Sequence, residues 1–299
     1  MNRVKLVSGG VDSYIMSQEF EGKNVYIDFG QLYKDDEIRA LKELGVDFEI
    51  IKVNSNFTAY SNIYINDRNL ALASLIAMIY SPDEIMIAGL GDDNCKDKSP
   101  EAFEKMSRIL TEFAEKEIRV ISPYFDKTKG EIIQNCNCKD KLPKTFSCYF
   151  PKPDGSACGD CPACLRKAIA LETNGIDSGI KLSQDIINEY LAKIHQYQPD
   201  RISRFFIWLK QKGNKVYAID IDGVLCEDRG KYEERRAIQK NIEKLNKLDD
   251  YVVLYTARLE IDRQLTEKWL KDNGVKYHSL IMNKLPYSKI VDDLSAIEL

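Results

Sequence analysis

Four cysteines crowd into one stretch of the chain. Cys158-Gly159-Asp160-Cys161-Pro162-Ala163-Cys164 spaces three thiols evenly, and Cys148 precedes them by ten residues. Short Cys-x-x-Cys turns bring sulfurs to one side of an ion, and tetrahedral zinc takes four sulfurs at roughly 2.3 Å each. Four thiolates leave no open coordination position. The site is therefore expected to be structural, with the metal standing in for a hydrophobic core between residues 139 and 166. A single buried cysteine needs no metal, whereas four at this spacing favour zinc. An iron–sulfur cluster is the competing metal reading. It ranks second because nothing else in the chain suggests electron transfer. Cys136 and Cys138 are either further ligands or simple loop thiols.

A second cluster begins at Ser8-Gly9-Gly10-Val11-Asp12-Ser13, directly after an apolar run at residues 4–7. Two glycines let backbone N–H groups turn towards an anion. A helix starting near Ser13 would add its dipole and its unpaired N–H groups. Ser8 and Ser13 add hydroxyl donors. The result is a pyrophosphate cradle without the lysine and the longer span of a Walker loop. A tight turn between a strand and a helix is the plainer alternative, and Ser-Gly-Gly alone would fit it equally well.

A third cluster is Asp220-Ile221-Asp222-Gly223-Val224, at the end of a hydrophobic run. Carboxylates two positions apart on an extended strand face the same side. Magnesium would relieve their repulsion and bind phosphate oxygens. Asp220 is placed as nucleophile and Asp222 as general acid/base. Thr256, Lys284 and Asp292-Asp293 follow, each at the end of a later predicted strand, with Lys289 as a second candidate lysine. The plainer alternative is an Asp-rich turn.

These clusters need elements to hold them. Strand-like runs at 4–7, 25–29, 48–53, 85–88 and 118–121 alternate with helical patterns at 36–44, 70–80 and 102–116. Such alternation predicts a parallel sheet covered on both faces, with the loops after the strands gathered along one edge. Residues 139–160 break the rhythm with Pro143, Pro151, Pro153 and Gly155. Helical patterns resume at 165–172, 186–193 and 202–211, and Lys212-Gly213-Asn214 reads as a linker. A second strand–loop–helix alternation has strand-like runs at 216–221, 252–256, 279–282 and 290–291. The organisation expected is an α/β domain over residues 1–211 and a smaller α/β domain over residues 215–299.

Length and composition agree with two ordinary globular domains. The chain has 299 residues, 44% of them hydrophobic and 30% charged. A net charge of -4 excludes a broad electrostatic footprint for nucleic acid. No run of 18 apolar residues exists, which argues against a membrane span. The first strand-like run follows the N-terminus too closely for a signal peptide, so a cytoplasmic location is expected. Eight cysteines in a reducing compartment then need an explanation other than disulfides.

The string from Ser8 to Ser13 resembles the signature of the ATP-pyrophosphatase (PP-loop) family, whose members cleave ATP to AMP and pyrophosphate and activate a carbonyl oxygen by adenylation. Further segments are similar to one branch of it, the 7-cyano-7-deazaguanine synthases. They are Asp28-Phe29-Gly30-Gln31, Arg68-Asn69 opening an apolar helix, Thr145-Phe146-Ser147-Cys148-Tyr149, and the run from Cys158 to Arg166. The resemblance covers about residues 3–170. It implies an adenine-nucleotide alpha-hydrolase-like fold with a four-cysteine zinc loop. It also implies nucleotide binding by Ser8, Gly9, Gly10, Val11, Asp12, Ser13, Asp28, Phe29, Gln31, Arg68 and Asn69. The implied reaction joins ATP, 7-carboxy-7-deazaguanine and ammonia through an acyl adenylate, giving the amide and then the nitrile.

Two departures mark the acceptor side: Leu32-Tyr33 stands where the family has Arg-His, and Asp67 where it has Gly. A ligase joining the acyl group to a protein or nucleic-acid amine is the alternative function, and a non-catalytic nucleotide-binding partner protein a third. Residues 216–299 resemble the small cap-less phosphatases of the haloacid dehalogenase superfamily. That resemblance implies magnesium on Asp220, Asp222 and Asp292, phosphate contacts from Thr256 and Lys284, and a phosphomonoester substrate. The short second domain leaves room for a second subunit to complete its site, so a homodimer is among the expected assemblies.

Overall fold

The computed structural model describes residues 1–53 and 67–284. The chain divides into two compact units, residues 1–187 with 198–204, and residues 188–197 with 205–299.

The first unit is built on five strands: β1 (Arg3–Leu6), β2 (Lys23–Asp28), β3 (Glu49–Lys52), β4 (Glu84–Met86) and β5 (Arg119–Ile121). They lie in the order β3-β2-β1-β4-β5 and every pairing is parallel. The helices are α1 (Val11–Glu19), α2 (Lys34–Glu43), α3 (Arg68–Tyr80), α4 (Pro100–Ala114), α5 (Lys129–Asn135) and α6 (Pro162–Glu172). Alternate strand residues serve opposite faces, as the two-residue repeat of a strand requires. Val4, Val25, Ile27, Ile85 and Val120 pack with Ile76, Phe103 and Met106 of α3 and α4. Tyr26 and Met86 join Tyr14, Ile15 and Leu41 of α1 and α2 on the other face. Each such side chain, fully buried, contributes about 1.5–3 kcal/mol of transfer free energy.

The strand order reverses between β1 and β4. Ligands of open parallel sheets bind beyond the strand ends at such a switch point. The loop leaving β1 there is residues 7–10, and the loop leaving β4 carries Asp92, Asp93 and Lys98. Thr128 closes a capping box with Glu131, which starts α5 at Lys129.

The division between the units falls inside α7 (Gln184–Ala192) and again inside α8 (Pro199–Gln211). The second unit holds β6 (Val216–Ile219), α9 (Gln239–Leu245), β7 (Tyr251–Tyr255), α10 (Arg263–Asp272) and β8 (Ser279–Ile281). Its strands are parallel in the order β6-β7-β8. Its core joins Ile219, Ile221, Leu254 and Leu280 to Ile242, Trp269 and Leu270. The expected strand at 290–291, together with Lys289, Asp292 and Asp293, lies outside the described residues. No helix among the described residues is long and apolar enough to cross a membrane.

Candidate functional site

The switch point opens into a cavity of about 270 Å3. Ser8, Gly10, Val11, Asp12, Ser13, Phe29, Gln31, Arg68 and Asn69 line it, as sequence reasoning placed them. Gly9 and Asp28 are not among its lining residues. Gly9 serves the backbone. Its φ of +71° and its close approach to α2, where a Cβ would sit 2.8 Å from the Glu37 carbonyl oxygen, leave no room for a side chain. Asp28 accepts a hydrogen bond from the Gly30 N–H at 3.0 Å and holds the loop after β2 in shape.

The Ser8–Ser13 loop is held in shape by its own hydrogen bonds. Ser13 Oγ accepts from the Ser8 N–H at 3.1 Å and donates to the Gly10 carbonyl at 3.2 Å. The Phe146 N–H donates to the Gly9 carbonyl at 2.8 Å, tying the loop to the cysteine segment. Gly10 caps α1, whose first turn carries Asp12.

Three cations complete the wall. Lys129 pairs with Asp12 at 2.6 Å. Lys98 reaches Asp93 at 3.3 Å, and Arg166 lies against both Asp93 and Asp92 at 2.5 and 3.1 Å. Burial pushes Lys129 down, with Asp12 opposing it. Burial would raise Asp93, but Lys98 and Arg166 outweigh it and hold its carboxyl well below the usual range. Asn69 donates to Asp97 at 2.9 Å and so fixes the turn that carries Lys98. Among the described residues the lining has five cations, Arg68, Lys98, Lys129, Arg166 and Lys167, against two carboxylates, Asp12 and Glu37. That excess suits a polyanion, because preorganised cations in a partly enclosed site stabilise phosphate charge strongly.

The four cysteines meet beside this cavity. The Sγ atoms of Cys148, Cys158, Cys161 and Cys164 all lie within 4.8 Å of one another, and those of Cys158 and Cys164 are 3.8 Å apart. A zinc–sulfur tetrahedron of 2.3 Å bonds has an edge of about 3.8 Å. The donor set and spacing therefore fit zinc. Backbone N–H groups of Cys158, Asp160 and Cys164 point at three of the sulfurs, at 3.3–3.5 Å. Gly159 makes the turn possible: its φ is +75°, and a Cβ would meet the Lys181 carbonyl oxygen at 1.9 Å. Cys136 and Cys138 stand apart from the four and pack with the core of the α1 and α2 face.

The cysteine cluster also positions the cavity wall. Cys161 caps α6, and Arg166 and Lys167 follow one turn later on that helix. Cys148 sits between Ser147 and Tyr149, which line the cavity. Metal there would fix both segments against the phosphate loop.

Residues 46–175 match the family model described as queuosine biosynthesis protein QueC. Curated relatives named 7-cyano-7-deazaguanine synthase align over most of their own length. The protein of Rickettsia prowazekii (strain Madrid E) is 28% identical over 222 residues, covering 60% of this chain and 97% of that one. That of Rickettsia canadensis (strain McKiel) is 24% identical with the same coverage. That of Pseudomonas putida is 26% identical over 212 residues, covering 58% and 95%. This chain carries a 7-cyano-7-deazaguanine synthase-like domain. Among solved structures, a chain of the Pnkp1/Rnl/Hen1 RNA repair complex aligns at 13% identity over 96% of this chain and 81% of that one, with a TM-score of 0.23, too low to carry a fold argument.

Within the synthase-like domain, sequence reasoning left Lys98, Lys129, Lys167 and Glu37 unassigned. A signal existed for one of them. Thr128-Lys129-Gly130-Glu131 is a capping-box pattern, which places Lys129 in a first helical turn. Lys98, Lys167 and Glu37 had none, because only the tertiary fold turns them into the cavity.

In the second unit, Asp220, Asp222, Thr256 and Lys284 come together through a chain of contacts. Lys284 Nζ is paired with Asp220. The Lys284 N–H donates to the Thr256 carbonyl at 2.9 Å. Asp222 is gripped by fully buried Arg258, with Nε–Oδ2 at 2.9 Å and Nη2–Oδ1 at 2.6 Å, and by Arg235 at 2.6 Å. Tyr232 lies against both guanidinium groups. Burial works to raise the Asp222 carboxyl, but hydrogen bonding and charge from Arg258 prevail and lower it. An ionised Asp222 suits proton acceptance better than donation. Both described carboxylates are ion-paired in this structure, and Asp292, the third expected magnesium ligand, lies outside the described residues.

Proposed function

We propose that the first domain adenylates 7-carboxy-7-deazaguanine with ATP and lets ammonia displace AMP to give the amide, and that a second ATP adenylates the amide oxygen so that loss of AMP leaves 7-cyano-7-deazaguanine. The observation that carries the reading is the cavity at the strand switch point, where a preformed Ser8–Ser13 loop faces Lys98, Lys129 and Arg166. Loop N–H groups and these cations would hold the β- and γ-phosphates. Phe29, Leu72 and Ile87 give the apolar surface a purine ring needs. As pyrophosphate departs, Lys129 and Arg166 would stabilise the charge it takes away, and holding the carboxylate in line supplies the rest of the rate. Magnesium would arrive with ATP and share its phosphate oxygens; zinc on the four cysteines would be structural.

Incubating the protein with ATP, magnesium, ammonium and 7-carboxy-7-deazaguanine, with mass spectrometry of the products, tests this. Base-dependent pyrophosphate release with a nitrile or amide product is expected. Pyrophosphate release without either product would transfer the reading to a ligase that uses a protein or nucleic-acid amine. No base-dependent release would overturn it.

We further propose two domains, residues 1–211 and 215–299, the second a phosphomonoester hydrolase with Asp220 as nucleophile. The Asp220–Lys284 pair beside Thr256 supports this reading. Hydrolysis of nucleotide and sugar phosphates by the full chain, with and without magnesium, tests it.

A further inference from the structure

One group in the synthase-like cavity does nothing for a polyphosphate. Glu37 is a carboxylate among cations, and it lies in the first turn of α2. Its neighbours there turn elsewhere: Lys34 leans towards Asp28 at 3.7 Å, and Asp36 pairs with Arg39 at 2.6 Å. Glu37 turns inward. Its Oε2 accepts from the Tyr26 hydroxyl at 2.8 Å and from Gln31 Nε2 at 3.4 Å. Gln31 is itself fixed, because its Oε1 accepts from the Phe29 N–H at 3.1 Å. The carboxylate is thus held from behind.

A carboxylate has about four lone-pair positions, and Tyr26 and Gln31 use those of Oε2. Oε1 has no hydrogen-bond partner among the described residues. Tyr33 and Tyr149, with ring centroids 6.1 Å apart, form an aromatic wall to the same cavity. The site therefore pairs flat apolar surface with one fixed acceptor of negative charge.

Resting on the reaction proposed above, we infer that Glu37 is the specificity-determining residue for the acceptor base, taking hydrogen bonds from the N1–H and 2-amino edge of a guanine-type ring. That edge presents two donors side by side, which the two lone pairs of Oε1 can accept. The matching edge of adenine presents the N1 acceptor, which Glu37 repels. One cavity can then hold two purine-like rings without exchanging them. A site built to hydrogen-bond a ligand group rejects the analogue lacking it strongly, because its own buried polar atom is left unpaired. The phosphate loop touches this reader directly, since Gly9 packs on the Glu37 backbone.

The test is Glu37→Gln, which keeps shape and changes one acceptor into a donor. Calorimetric titration with 7-carboxy-7-deazaguanine and with its 2-deamino analogue reads the base site without turnover. Titration with a non-hydrolysable ATP analogue reports whether the cavity is intact. The expected result is wild-type affinity for the ATP analogue, a loss of roughly 100-fold or more for the guanine-type base, and a collapse of the preference over the 2-deamino analogue. Should Glu37→Gln unfold, Tyr26→Phe gives a smaller loss confined to the same base. Unchanged base affinity in Glu37→Gln, equal loss for the ATP analogue, or no preference over the 2-deamino analogue in the wild type would each overturn the inference. The proposed reaction fails separately, if the wild type binds the base selectively yet releases no pyrophosphate.

Discussion

Both domains place acidic and basic side chains at the C-terminal ends of parallel strands, yet they use them differently. In the first, cations outnumber carboxylates around an open cavity, and Lys98, Lys129 and Arg166 each face it while still paired. In the second, Asp222 is closed off by two guanidiniums and Asp220 by Lys284. The same residue types thus line an open cavity in one place and pair with one another in the other. A charge-bearing motif states what chemistry is available, and the pairing of its members decides whether that chemistry is exposed.

The comparison breaks most completely at the cysteine cluster. Cys161→Ser/Cys164→Ser is expected to lose one zinc per chain by elemental analysis and to abolish pyrophosphate release, because α6 would no longer carry Arg166 to Asp92 and Asp93. Retention of full zinc content by the double variant would refute the assignment of the ligands.

Within the first domain, Lys129→Ala should lower the rate of pyrophosphate release by about 100- to 1000-fold, the range for losing one preorganised donor at a developing charge. Asp12→Ala should be at least as damaging, since it leaves Lys129 buried without its partner. Neither should change phosphomonoester hydrolysis. Loss of both activities in a folded Asp12→Ala protein would mean the two sites are not independent. The reciprocal change is Asp220→Asn. It keeps shape, removes the nucleophile, and should reduce hydrolysis on the order of a million-fold, as removal of a nucleophile acting in a coupled set does. Pyrophosphate release should be untouched. Wild-type hydrolysis by Asp220→Asn would dismiss the catalytic reading of the second domain and leave its charges a structural network.

What the sequence made legible follows the same division. The loop from Ser8 to Ser13 and the Cys158–Cys164 spacing were readable because a local string carries their chemistry. Strand alternation was readable because β2 sends Val25, Tyr26 and Ile27 to both faces and β4 does the same with Ile85 and Met86. Glu37 was not, because in sequence it is one of three acidic residues opening α2, and only the Tyr26 hydroxyl on β2 and Gln31 in the loop before α2 mark it out. Arg258, two residues after Thr256, has no role in the sequence reading. Its complete burial against Asp222 depends on Thr266, Cys226 and Tyr232, which come from separate segments.

A pH profile sharpens the contrast at moderate size. Burial pushes the Glu37 carboxyl up to about 7, against the opposing hydrogen bonds of Tyr26 and Gln31 and the charge of Arg68. Only its ionised form accepts from the base, so kcat/KM for 7-carboxy-7-deazaguanine should rise with pH and level off above about 7. Folding stability should run the other way. A raised native pKa favours the protonated native state, so this contribution is complete below the unfolded glutamate range and is lost as pH rises through about 7. Glu37→Gln should flatten both dependences. A rising profile that persists in Glu37→Gln would assign the titration to another group.

The smallest effect concerns Leu32 and Tyr33, which stand where the synthases resembled here have Arg-His. The structure separates the pair. Leu32 is 74% exposed, whereas Tyr33 lines the cavity against Tyr149. Burial, with Glu37 adding to it, pushes the Tyr33 hydroxyl up to about 12, so it stays neutral at any working pH. The position can still donate a hydrogen bond, but it supplies no positive charge and no proton that moves near neutrality. In the mechanism proposed above, adenylation would draw its charge stabilisation from Lys98, Lys129 and Arg166 and should not notice. Turning the amide into the nitrile takes a second adenylation of the amide oxygen, and the departure of AMP with loss of the remaining nitrogen-bound proton is where an ionisable group beside Gln31 would act. Tyr33→His is therefore expected to shift the nitrile-to-amide ratio several-fold while leaving pyrophosphate release within about twofold, and Leu32→Arg to change neither, as exposed substitutions usually do. Mass spectrometry of the products reads both. A shift caused by Leu32→Arg but not by Tyr33→His would place the acceptor chemistry outside this cavity wall.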